Sequence, residues 1–279
     1  MQILNGKEVA AFHRRQILAK IEQEKEAGKA VPQLAILLVG DDAPSRMYAH
    51  SMQKAAEKAG LDAVIHQEAA DVSEDELLSL LDRLNQDPKV RGILPMMPLP
   101  KGLDTRRVLD AIDPEKDVDG LTDTNIARLY SGRAGFVPCT PRAVMAILAY
   151  YKVDLCGKNV VIIGRSNVVG KPLFQLCLNE NATVTVCHTR TKDLGAVCRK
   201  ADVLIAAAGK AGLVHGDMVK DGAVVIDVGI NRVDGKTVGD VVYEEAAAKA
   251  AAITPVPGGV GAVTTMMVLE NVVCGTAQD

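Results

Sequence analysis

The stretch "VVIIGRSNVVGKP" (160–172) decides the fold, because an apolar, β-branched run ends there at a glycine, a polar turn follows, and Gly170 and Pro172 begin a predicted helix. Backbone N–H groups at such a turn, together with the positive end of the helix dipole, suit the pyrophosphate of a dinucleotide. The spacing departs from G-x-G-x-x-G, since Ser166 occupies the second glycine position and the last glycine comes one residue late. By itself the stretch leaves two alternatives, a nucleotide site or an ordinary strand-to-helix turn.

The end of the next predicted strand bears on the choice of cofactor. In NAD-selective folds a carboxylate about 20 residues after the loop binds the ribose 2′-hydroxyl, whereas a 2′-phosphate requires cationic and hydroxyl groups. Here the strand ends in "CHTRTK" (187–192), no acid occurs before Asp193, and Arg165 lies in the first loop. If a dinucleotide binds, NADP is therefore favoured over NAD.

Apolar runs of strand length alternate with segments of helical period along most of the chain, which indicates an α/β fold with parallel sheets. Proline cannot donate to a sheet, so the strand that opens "VRGILPMMPLP" (90–100) is expected to end near Leu94. Gly, Pro and Asp interrupt the alternation between residues 120 and 140, where Thr140 and Pro141 are typical of a helix N-cap and first helical position. We place a domain junction there. The predicted strands are 33–40, 62–67, 90–94, 158–164, 182–188, 202–209 and 223–229, and predicted helices include 45–59, 73–86, 141–151, 170–180 and 262–274.

Composition excludes several classes of function. The chain has 32 basic and 35 acidic residues, interspersed, with no Trp and 3% aromatic residues, so nucleic-acid binding is not expected. No signal-peptide core or stretch of about 18–20 apolar residues occurs, which predicts a cytoplasmic protein without a membrane partner. The six cysteines form no C-x-x-C pair, and buried free thiols are favoured over disulfides. The histidines show no ligand spacing, so no metal site is predicted, and no catalytic role is assigned to His50, His66, His188 or His215.

Three further stretches, "KDVDGLT" (116–122), "GRSNVVGKP" (164–172) and "TPVPGGVGAVT" (254–264), make the chain resemble the bifunctional methylenetetrahydrofolate dehydrogenase/cyclohydrolase family. The resemblance extends almost end to end. It implies an N-terminal three-layer α/β folate domain over 1–140, to which a C-terminal helix at 263–279 returns, and a Rossmann-like NADP-binding domain over 141–262. It also implies tetrahydrofolate substrates, a homodimer that associates through the cofactor domains, and a cleft between the domains where folate meets nicotinamide.

The resemblance assigns cofactor-binding roles to five residues. Gly164, Arg165 and Ser166 match the family's cofactor loop, and Arg165 is the expected partner of the 2′-phosphate. Thr189 falls where the family offers a hydroxyl or basic group. Ile230, in "DVGIN" (227–231), matches a position whose backbone lies against the nicotinamide.

Five further residues match folate-binding positions. Tyr48 matches the tyrosine that stacks on the aminobenzoate ring, and Asp119 matches the aspartate that anchors the pterin. Pro257, Gly258 and Gly259 match the loop that closes over the substrate. Residue chemistry alone would make Tyr48 a core residue of an amphipathic helix and Asp119 a loop-capping carboxylate, so these binding roles rest on the resemblance.

Two catalytic positions depart from the family pattern. The family has a Y-x-x-x-K element, with the two side chains on one helical face, whereas Met52 occupies the lysine position here. Lys54 lies about 200° further around the helix and cannot simply replace it. Met96 occupies the position of a glutamine that hydrogen-bonds this lysine. A glutamine beside an apolar Met52 would lose its partner, at a cost of about 1–3 kcal/mol, so the joint replacement is physically coherent.

Methionine at both positions predicts which of the family's two reactions, dehydrogenation and hydrolysis, the chain can still catalyse. Oxidation of the methylene bridge is a hydride transfer that chiefly requires two molecules to be positioned, so it does not need the lysine. Hydrolysis of the methenyl product needs a general acid or base, which methionine cannot provide. We therefore expect an NADP-dependent methylenetetrahydrofolate dehydrogenase of one-carbon metabolism with weak or lost cyclohydrolase activity. The alternatives are a fully bifunctional enzyme that recruits His50 or Lys54, and a non-catalytic folate or NADP binding protein.

Overall fold

The computed structural model describes residues 1–276 and confirms the predicted α/β class with two domains and parallel sheets. The strands are β1 (Gln2–Ile3), β2 (Gln33–Val39), β3 (Asp62–Glu68), β4 (Val90–Pro95), β5 (Asn159–Ile163), β6 (Thr183–Cys187), β7 (Val203–Ala206), β8 (Val224–Asp227), β9 (Asn231–Val233), β10 (Lys236–Val238) and β11 (Ala252–Ile253). The helices are α1 (Gly6–Glu26), α2 (Ala43–Lys58), α3 (Glu74–Gln86), α4 (Thr105–Asp110), α5 (Asp123–Tyr130), α6 (Cys139–Tyr150), α7 (Gly170–Asn179), α8 (Leu194–Cys198), α9 (Tyr243–Ala247) and α10 (Val260–Cys274), with a 3-10 turn at Gly216–Met218.

Contacts divide the chain into two compact units. One, here called the six-stranded unit, comprises Met1–Phe12 and Thr140–Thr264. The other, the three-stranded unit, comprises His13–Cys139 and the chain from Thr265 onward. The first twelve residues thus belong to the six-stranded unit, whereas the predicted folate domain over 1–140 includes them. The physical reason is β1, which adds to the edge of the six-stranded sheet. Of the C-terminal helix expected at 263–279, the last three residues lie outside the described part of the chain.

The six-stranded unit is built on a parallel sheet with the strand order β1-β11-β8-β7-β5-β6. Its central strands are almost entirely apolar and buried, as expected when both faces of a parallel sheet are covered. The order reverses at β5, which pairs with β6 on one side and β7 on the other. In such sheets ligands bind beyond the carboxyl ends of the strands at this point of reversal. The loop after β5 is therefore the first candidate site.

The three-stranded unit has the parallel order β3-β2-β4. One face of β2 packs with the leucines of α3, and these residues form one core cluster, which includes Leu37, Leu77 and Leu81. Helix α2 contacts β2 and β3 and buries Ser45, Ala49, Met52 and Ala56, which recur at helical spacing along one face. This packing determines which side chains of α2 are enclosed and which remain accessible.

Most predicted boundaries shift by one to three residues, and two of these shifts bear on the candidate site. Strand β4 continues one residue beyond Leu94, and Pro95 lies opposite Leu37. Proline is tolerated because β4 is an edge strand, where its missing N–H breaks no ladder. Helix α6 begins at Cys139 instead of after Thr140, and the N–H of Cys139 donates to the Asp119 carboxylate at 3.2 Å. A side chain from another loop thus supplies the cap that Thr140 was predicted to provide.

No helix within residues 1–276 is long and apolar enough to cross a membrane. All six cysteines are free thiols. Four are buried as predicted, but Cys156 and Cys274 are exposed.

Candidate active site

The loop after β5 turns through a close approach of backbone to backbone. Gly164 has a φ of 130°, and a Cβ at this position would overlap the carbonyl group of Ala207. A Cβ on Gly170, at the start of α7, would overlap the carbonyl of Gly164. Only glycine fits at these two points, so the strand, the turn and the helix are held together by their main chains.

Ser166 has a structural role at the position where many nucleotide loops have a second glycine. Its Oγ accepts hydrogen bonds from the N–H groups of Val169, at 3.1 Å, and Gly170, at 3.4 Å. Its carbonyl accepts the N–H of Lys171 at 3.0 Å. The serine therefore caps the first turn of α7 from inside the loop, which explains the irregular motif spacing.

A cavity of about 610 Å³, here called the β5 cavity, opens at the carboxyl ends of β5, β6 and β7. Four of the five predicted cofactor residues line it, namely Gly164, Arg165, Ser166 and Thr189. Its other lining residues, which the sequence analysis did not predict as binding residues, are Ile163, His188, Thr191, Leu194, Ala207, Ala208, Lys210 and Leu213.

The polar lining of the β5 cavity combines cationic, hydroxyl and imidazole groups. Arg165 and Lys210 supply two cations, and the imidazole Nδ1 of His188 accepts the N–H of Arg190 at 3.1 Å. The hydroxyl of Thr191 accepts the N–H of His188 at 2.9 Å, which closes the turn after β6. Among the lining residues there is no carboxylate. These groups suit a 2′-phosphate, and the "CHTRTK" stretch already contained the signal for His188 and Thr191.

The fifth predicted cofactor residue, Ile230, lies outside this lining. Its side chain is 69% exposed, and its Cδ1 is within van der Waals distance of the position that a Cβ on Gly261 would take. The segment that contains Gly261 also lies against the start of α1, since a Cβ on Gly6 would overlap the carbonyl of Gly259. The predicted closing loop is partly accessible, with Pro257 exposed and Gly258 at a φ of 104°. Within the six-stranded unit, Ile230 thus lies beside the 257–261 segment.

In the three-stranded unit, the two aspartates of "KDVDG" have different environments. Asp117 is buried, and its two oxygens accept hydrogen bonds from the N–H of Leu121 at 3.1 Å, the N–H of Thr122 at 2.8 Å and the amide of Asn125 at 2.9 Å. Three donors nearly saturate this carboxylate, so Asp117 shapes the turn and has little capacity left for a ligand.

Lys116 is also committed to the fold. Its ammonium group donates to the carbonyls of Leu84, Asn85 and Asp87 at 2.5–3.0 Å, at the end of α3. Burial lowers the pKa of this lysine. All three ammonium protons are used, so Lys116 has none left to donate to a ligand.

Asp119 keeps capacity for a ligand. It accepts the N–H of Cys139 at 3.2 Å, and the Cys139 thiol donates to the carbonyl of Val118 at 3.1 Å. Burial raises the pKa of Asp119 to about 6, and the backbone hydrogen bond from Cys139 opposes that rise. Near neutral pH this carboxyl group can therefore both accept and, in part of the molecules, donate a hydrogen bond.

The side chain of Tyr48 is partly accessible to solvent, but its hydroxyl is buried. The residue is 41% exposed, while burial around the hydroxyl raises its pKa, with a further contribution from the negative charge of Asp119. A hydrogen bond with Thr265 of α10 acts in the opposite direction. The structure thus brings Tyr48 and Asp119 close together, and it adds Cys139 and Thr265, which the sequence analysis did not name.

Met52 and Met96 are buried, at 1% and 3% exposure. Met52 follows Tyr48 by one helical turn on the buried face of α2, and the N–H of Met96 donates to the carbonyl of Leu37 at 2.8 Å, just beyond β4. The neighbouring Met97 is 39% exposed, and its carbonyl accepts a hydrogen bond from the hydroxyl of Ser45 at 3.3 Å. Met96 and Met97, adjacent in sequence, therefore have opposite environments.

His50 and Lys54, the two basic residues of α2 that the bifunctional alternative would recruit, are both exposed. His50 and Lys54 lie off the buried face that carries Met52. Within residues 1–276, no group of three or more His, Cys, Asp or Glu side chains could hold a metal ion.

This combination of a Rossmann-like sheet, a phosphate-type loop and a second α/β unit with a buried carboxyl group defines a dinucleotide-dependent enzyme of two domains. Residues 4–119 match the model for the tetrahydrofolate dehydrogenase/cyclohydrolase catalytic domain, and residues 138–279 match the model for the NAD(P)-binding domain of the same family. The chain belongs to the tetrahydrofolate dehydrogenase/cyclohydrolase family.

Known relatives resemble the chain over almost its whole length. It is 52% identical to the bifunctional protein FolD of Pelobacter propionicus, over 96% of this chain and 95% of that protein. The crystal structure of the bifunctional enzyme FolD from Campylobacter jejuni superposes with a TM-score of 0.96, at 45% identity and 98% coverage of both chains. The Trypanosoma brucei methylenetetrahydrofolate dehydrogenase-cyclohydrolase, solved with NADP and an inhibitor, has a TM-score of 0.92 at 37% identity, covering 97% of this chain and 95% of that one.

Proposed function

We propose that the chain is an NADP-dependent 5,10-methylenetetrahydrofolate dehydrogenase of one-carbon metabolism in which the cyclohydrolase step, hydrolysis of the methenyl product to 10-formyltetrahydrofolate, is weak or lost. The observation that carries the proposal is the burial of Met52 and Met96, two residues that the resemblance places where the family has a lysine and a glutamine. Family membership and the names of the relatives support the dehydrogenase part.

The residues of the β5 cavity fit NADP. The Gly164–Ser166 turn at the start of α7 would hold the pyrophosphate, and Arg165, Thr189 and Lys210 would surround the 2′-phosphate. Ile230 would lie beside the nicotinamide. When bound, NADP supplies the hydride acceptor for the methylene carbon.

Dehydrogenation requires the chain to orient the folate and to exclude water. The exposed ring of Tyr48 offers a face for the aminobenzoate ring, and Asp119 offers a carboxyl group for the pterin. The loop at 257–259 would close over the substrate. None of these tasks requires a titrating lysine, because the folate nitrogen lone pairs expel the hydride.

Hydrolysis of the methenyl cation has a different requirement. Water must be activated and a ring nitrogen protonated, work that a positioned general acid or base typically accelerates by about 10²–10⁴-fold. The thioethers of Met52 and Met96 carry no exchangeable proton. Lys116 is engaged with three carbonyls, and His50 and Lys54 are exposed. Asp119 would be occupied by the pterin.

A two-product assay tests the proposal. Purified protein is given methylenetetrahydrofolate and NADP, and the reduced cofactor, the methenyl product and 10-formyltetrahydrofolate are quantified separately against the uncatalysed hydrolysis. We expect methenyltetrahydrofolate, which absorbs in the near ultraviolet, to accumulate. Rapid enzyme-dependent formation of the 10-formyl product would refute the loss of the cyclohydrolase, while absence of any reduced cofactor would refute the dehydrogenase.

The second candidate is a fully bifunctional enzyme, favoured by the bifunctional names of its relatives. It would need another proton donor in place of the lysine, and in that case restoring Lys and Gln would add little hydrolysis. A non-catalytic binder is the third candidate, and it would bind NADP without turnover. The homodimer, the cytoplasmic location and the assignment of 1–140 to folate and 141–262 to NADP stay predictions, and light scattering of the purified protein would test the dimer.

A further inference from the structure

A buried carboxylate, Asp240, collects four hydrogen bonds from two separate segments. It lies between β10 and α9 and is 0% exposed. Its Oδ2 accepts the N–H groups of Ala208, at 2.6 Å, and Gly209, at 2.9 Å. Its Oδ1 accepts the N–H of Lys210 and the side-chain amide of Asn231, both at 2.9 Å. Four donors fill the acceptor capacity of a carboxylate, so Asp240 has no capacity left for a ligand.

The segments that Asp240 holds are those that form the candidate cofactor site. Ala208 and Lys210 line the β5 cavity, and the preceding carbonyl, that of Ala207, is in close approach to Gly164 of the phosphate-type loop. Asn231 directly follows Ile230. Three successive N–H groups directed at one anion form a nest, and here the anion is an internal side chain instead of a ligand phosphate.

A second buried carboxylate fixes Asp240 itself. The side chain of Asp227, at the end of β8, accepts the N–H groups of Gly229 at 2.9 Å, Asp240 at 3.0 Å and Val241 at 3.0 Å. Its own N–H donates to the Thr254 hydroxyl at 2.8 Å. The carboxylate that organises the cavity is therefore anchored to the sheet through its backbone.

Two glycines permit this arrangement. A Cβ on Gly229 would overlap the carboxylate of Asp240, and a Cβ on Gly239 would overlap the carboxylate of Asp227. The glycine of "DVG" and the glycine of "VGD" thus each make room for the aspartate of the other motif. No single stretch of sequence displays this reciprocal packing, so the local pattern of "VGD" (238–240) does not mark it as part of a site.

We propose that Asp240 is a positioning residue for the cofactor, whose carboxylate holds the backbone of residues 208–210, in the wall of the β5 cavity, against the segment that carries Ile230. The inference rests on the proposed NADP-linked function and extends it to a residue that does not touch the cofactor. Since the residue acts on the backbone in the wall of the cavity and does not contact the 2′-phosphate, it supports the binding of NAD as well as that of NADP.

The test is a direct measurement of cofactor affinity by isothermal titration calorimetry, without folate and without turnover. Wild-type protein, Asp240→Asn and Arg165→Ala are each titrated with NADP and with NAD. The amide replaces one acceptor oxygen by an NH₂ group that opposes the backbone donors, so Asp240→Asn should raise the Kd for NAD as well as for NADP, each by roughly tenfold. Arg165→Ala should raise the Kd for NADP alone.

Asp202→Asn is the matched control. Asp202 belongs to the same unit and accepts a backbone N–H, that of Asn159 at 2.9 Å, but lies at the opposite ends of the strands. It should lower thermal stability and leave both Kd values unchanged. If Asp240→Asn folds and binds both cofactors like the wild type, or loses affinity for NADP only, the positioning role is refuted.

If Asp240→Asn does not fold, Asn231→Ala keeps the proposal testable, because it removes one donor and leaves the three backbone donors in place. It should raise both Kd values by roughly threefold, and unchanged values would overturn the proposal. If the wild-type protein itself binds neither cofactor, the proposed function is refuted. The role of Asp240 is judged separately, from the difference in Kd between variant and wild type.

Discussion

The β5 loop differs from four residues of the three-stranded unit, here called the folate-side residues because the resemblance predicts that role for them: Tyr48, Met52, Met96 and Asp119. The two sets show two ways in which a sequence can encode a site. In the β5 loop the essential features are backbone features, since Gly164 and Gly170 allow main chains to touch and Ser166 caps a helix. The folate-side residues instead contribute individual functional groups from separate elements. Asp119 has a carboxyl group that is shifted towards neutrality, whereas Met52 and Met96 are buried hydrocarbon and sulfur.

The difference shows why fold and reaction can diverge within a family. Changing Gly164 or Gly170 would disturb the turn itself, so at these two positions the geometry of the loop and its chemistry are kept or lost together. Two methionines at the positions that the resemblance assigns to lysine and glutamine are buried, and they place no polar group in the core. On the function proposed above, this chain, which is 52% identical to a bifunctional relative, keeps the fold and loses one of the two reactions.

Restoring the family residues should have the largest effect. We expect Met52→Lys combined with Met96→Gln to raise the rate of methenyltetrahydrofolate hydrolysis by roughly 10²–10⁴-fold, because a general acid or base returns with its hydrogen-bond partner. Hydrolysis is followed by the loss of the near-ultraviolet absorbance of the methenyl compound.

The pair Met52→Lys and Met97→Gln is the matched control for this experiment. Met97 adjoins Met96 but is exposed, so a glutamine there has no reason to stabilise a lysine at position 52. Equal hydrolysis by both double variants, or no gain in either, would contradict the assignment of the lost activity to Met52 and Met96 as a pair.

The same contrast separates what the sequence could predict from what it could not. Strands β5 and β7 and the turn before α7 were predicted from local pattern, because apolar runs and glycines report directly on buried strands and tight turns. Strand β1 has two residues, and it is defined by its pairing with β11, which lies about 250 residues later in the chain. Such long-range pairings have no local signature.

The residues of the candidate site also divide into those that the sequence predicts and those that only the fold brings together. Arg165 and Thr189 follow predicted strands, and the motif order located them in the sequence. The capping of α6 by Asp119 could not be anticipated, because its donor, Cys139, is 20 residues away and only the fold brings the two together. The resemblance assigned Asp119 a ligand role, and the structure adds that the same carboxylate caps a helix.

The second largest effect is expected from Arg165→Ala. The loss of one charge-assisted hydrogen bond to the 2′-phosphate should raise the KM for NADP by roughly 10- to 100-fold, while the KM for NAD changes little. Initial rates of methylenetetrahydrofolate oxidation with each cofactor measure the ratio. Arg199→Ala, which removes a cation from the same unit outside the β5 cavity, should leave the ratio unchanged. A parallel rise for both cofactors would show that Arg165 shapes the loop instead of selecting the phosphate.

A smaller effect, on stability, should show that Met52 functions as a packing residue. Met52→Ala leaves a cavity on the buried face of α2 and should lower the free energy of unfolding by about 2–5 kcal/mol. Met52→Leu conserves the volume and should lower it by less than about 1.5 kcal/mol. Denaturant unfolding of both variants measures the difference, and similar small losses in the two would mean that position 52 is not part of the core.

The smallest expected effect concerns the stability cost of Asp119. Its pKa in the folded protein, about 6, is raised above the ordinary value of 3.8, so protonation favours the folded state. The contribution is fully present below about pH 4 and is lost as the pH rises through 6, which means that the charged carboxylate destabilises the protein at neutral pH. Asp119→Asn should therefore raise Tm by roughly 6 °C at pH 7.5 and leave it nearly unchanged at pH 4.

Asp117→Asn provides the comparison for that experiment within the same loop. Its carboxylate accepts three hydrogen bonds, so an amide would leave donors unpaired and should lower Tm at pH 7.5. Opposite signs at positions 117 and 119 are expected because the Asp117 carboxylate accepts three hydrogen bonds within its own loop, whereas burial outweighs the one backbone hydrogen bond to Asp119. If both variants lowered Tm at pH 7.5, the cap on Cys139 would outweigh the burial of Asp119, and its carboxyl group would be a structural residue like that of Asp117.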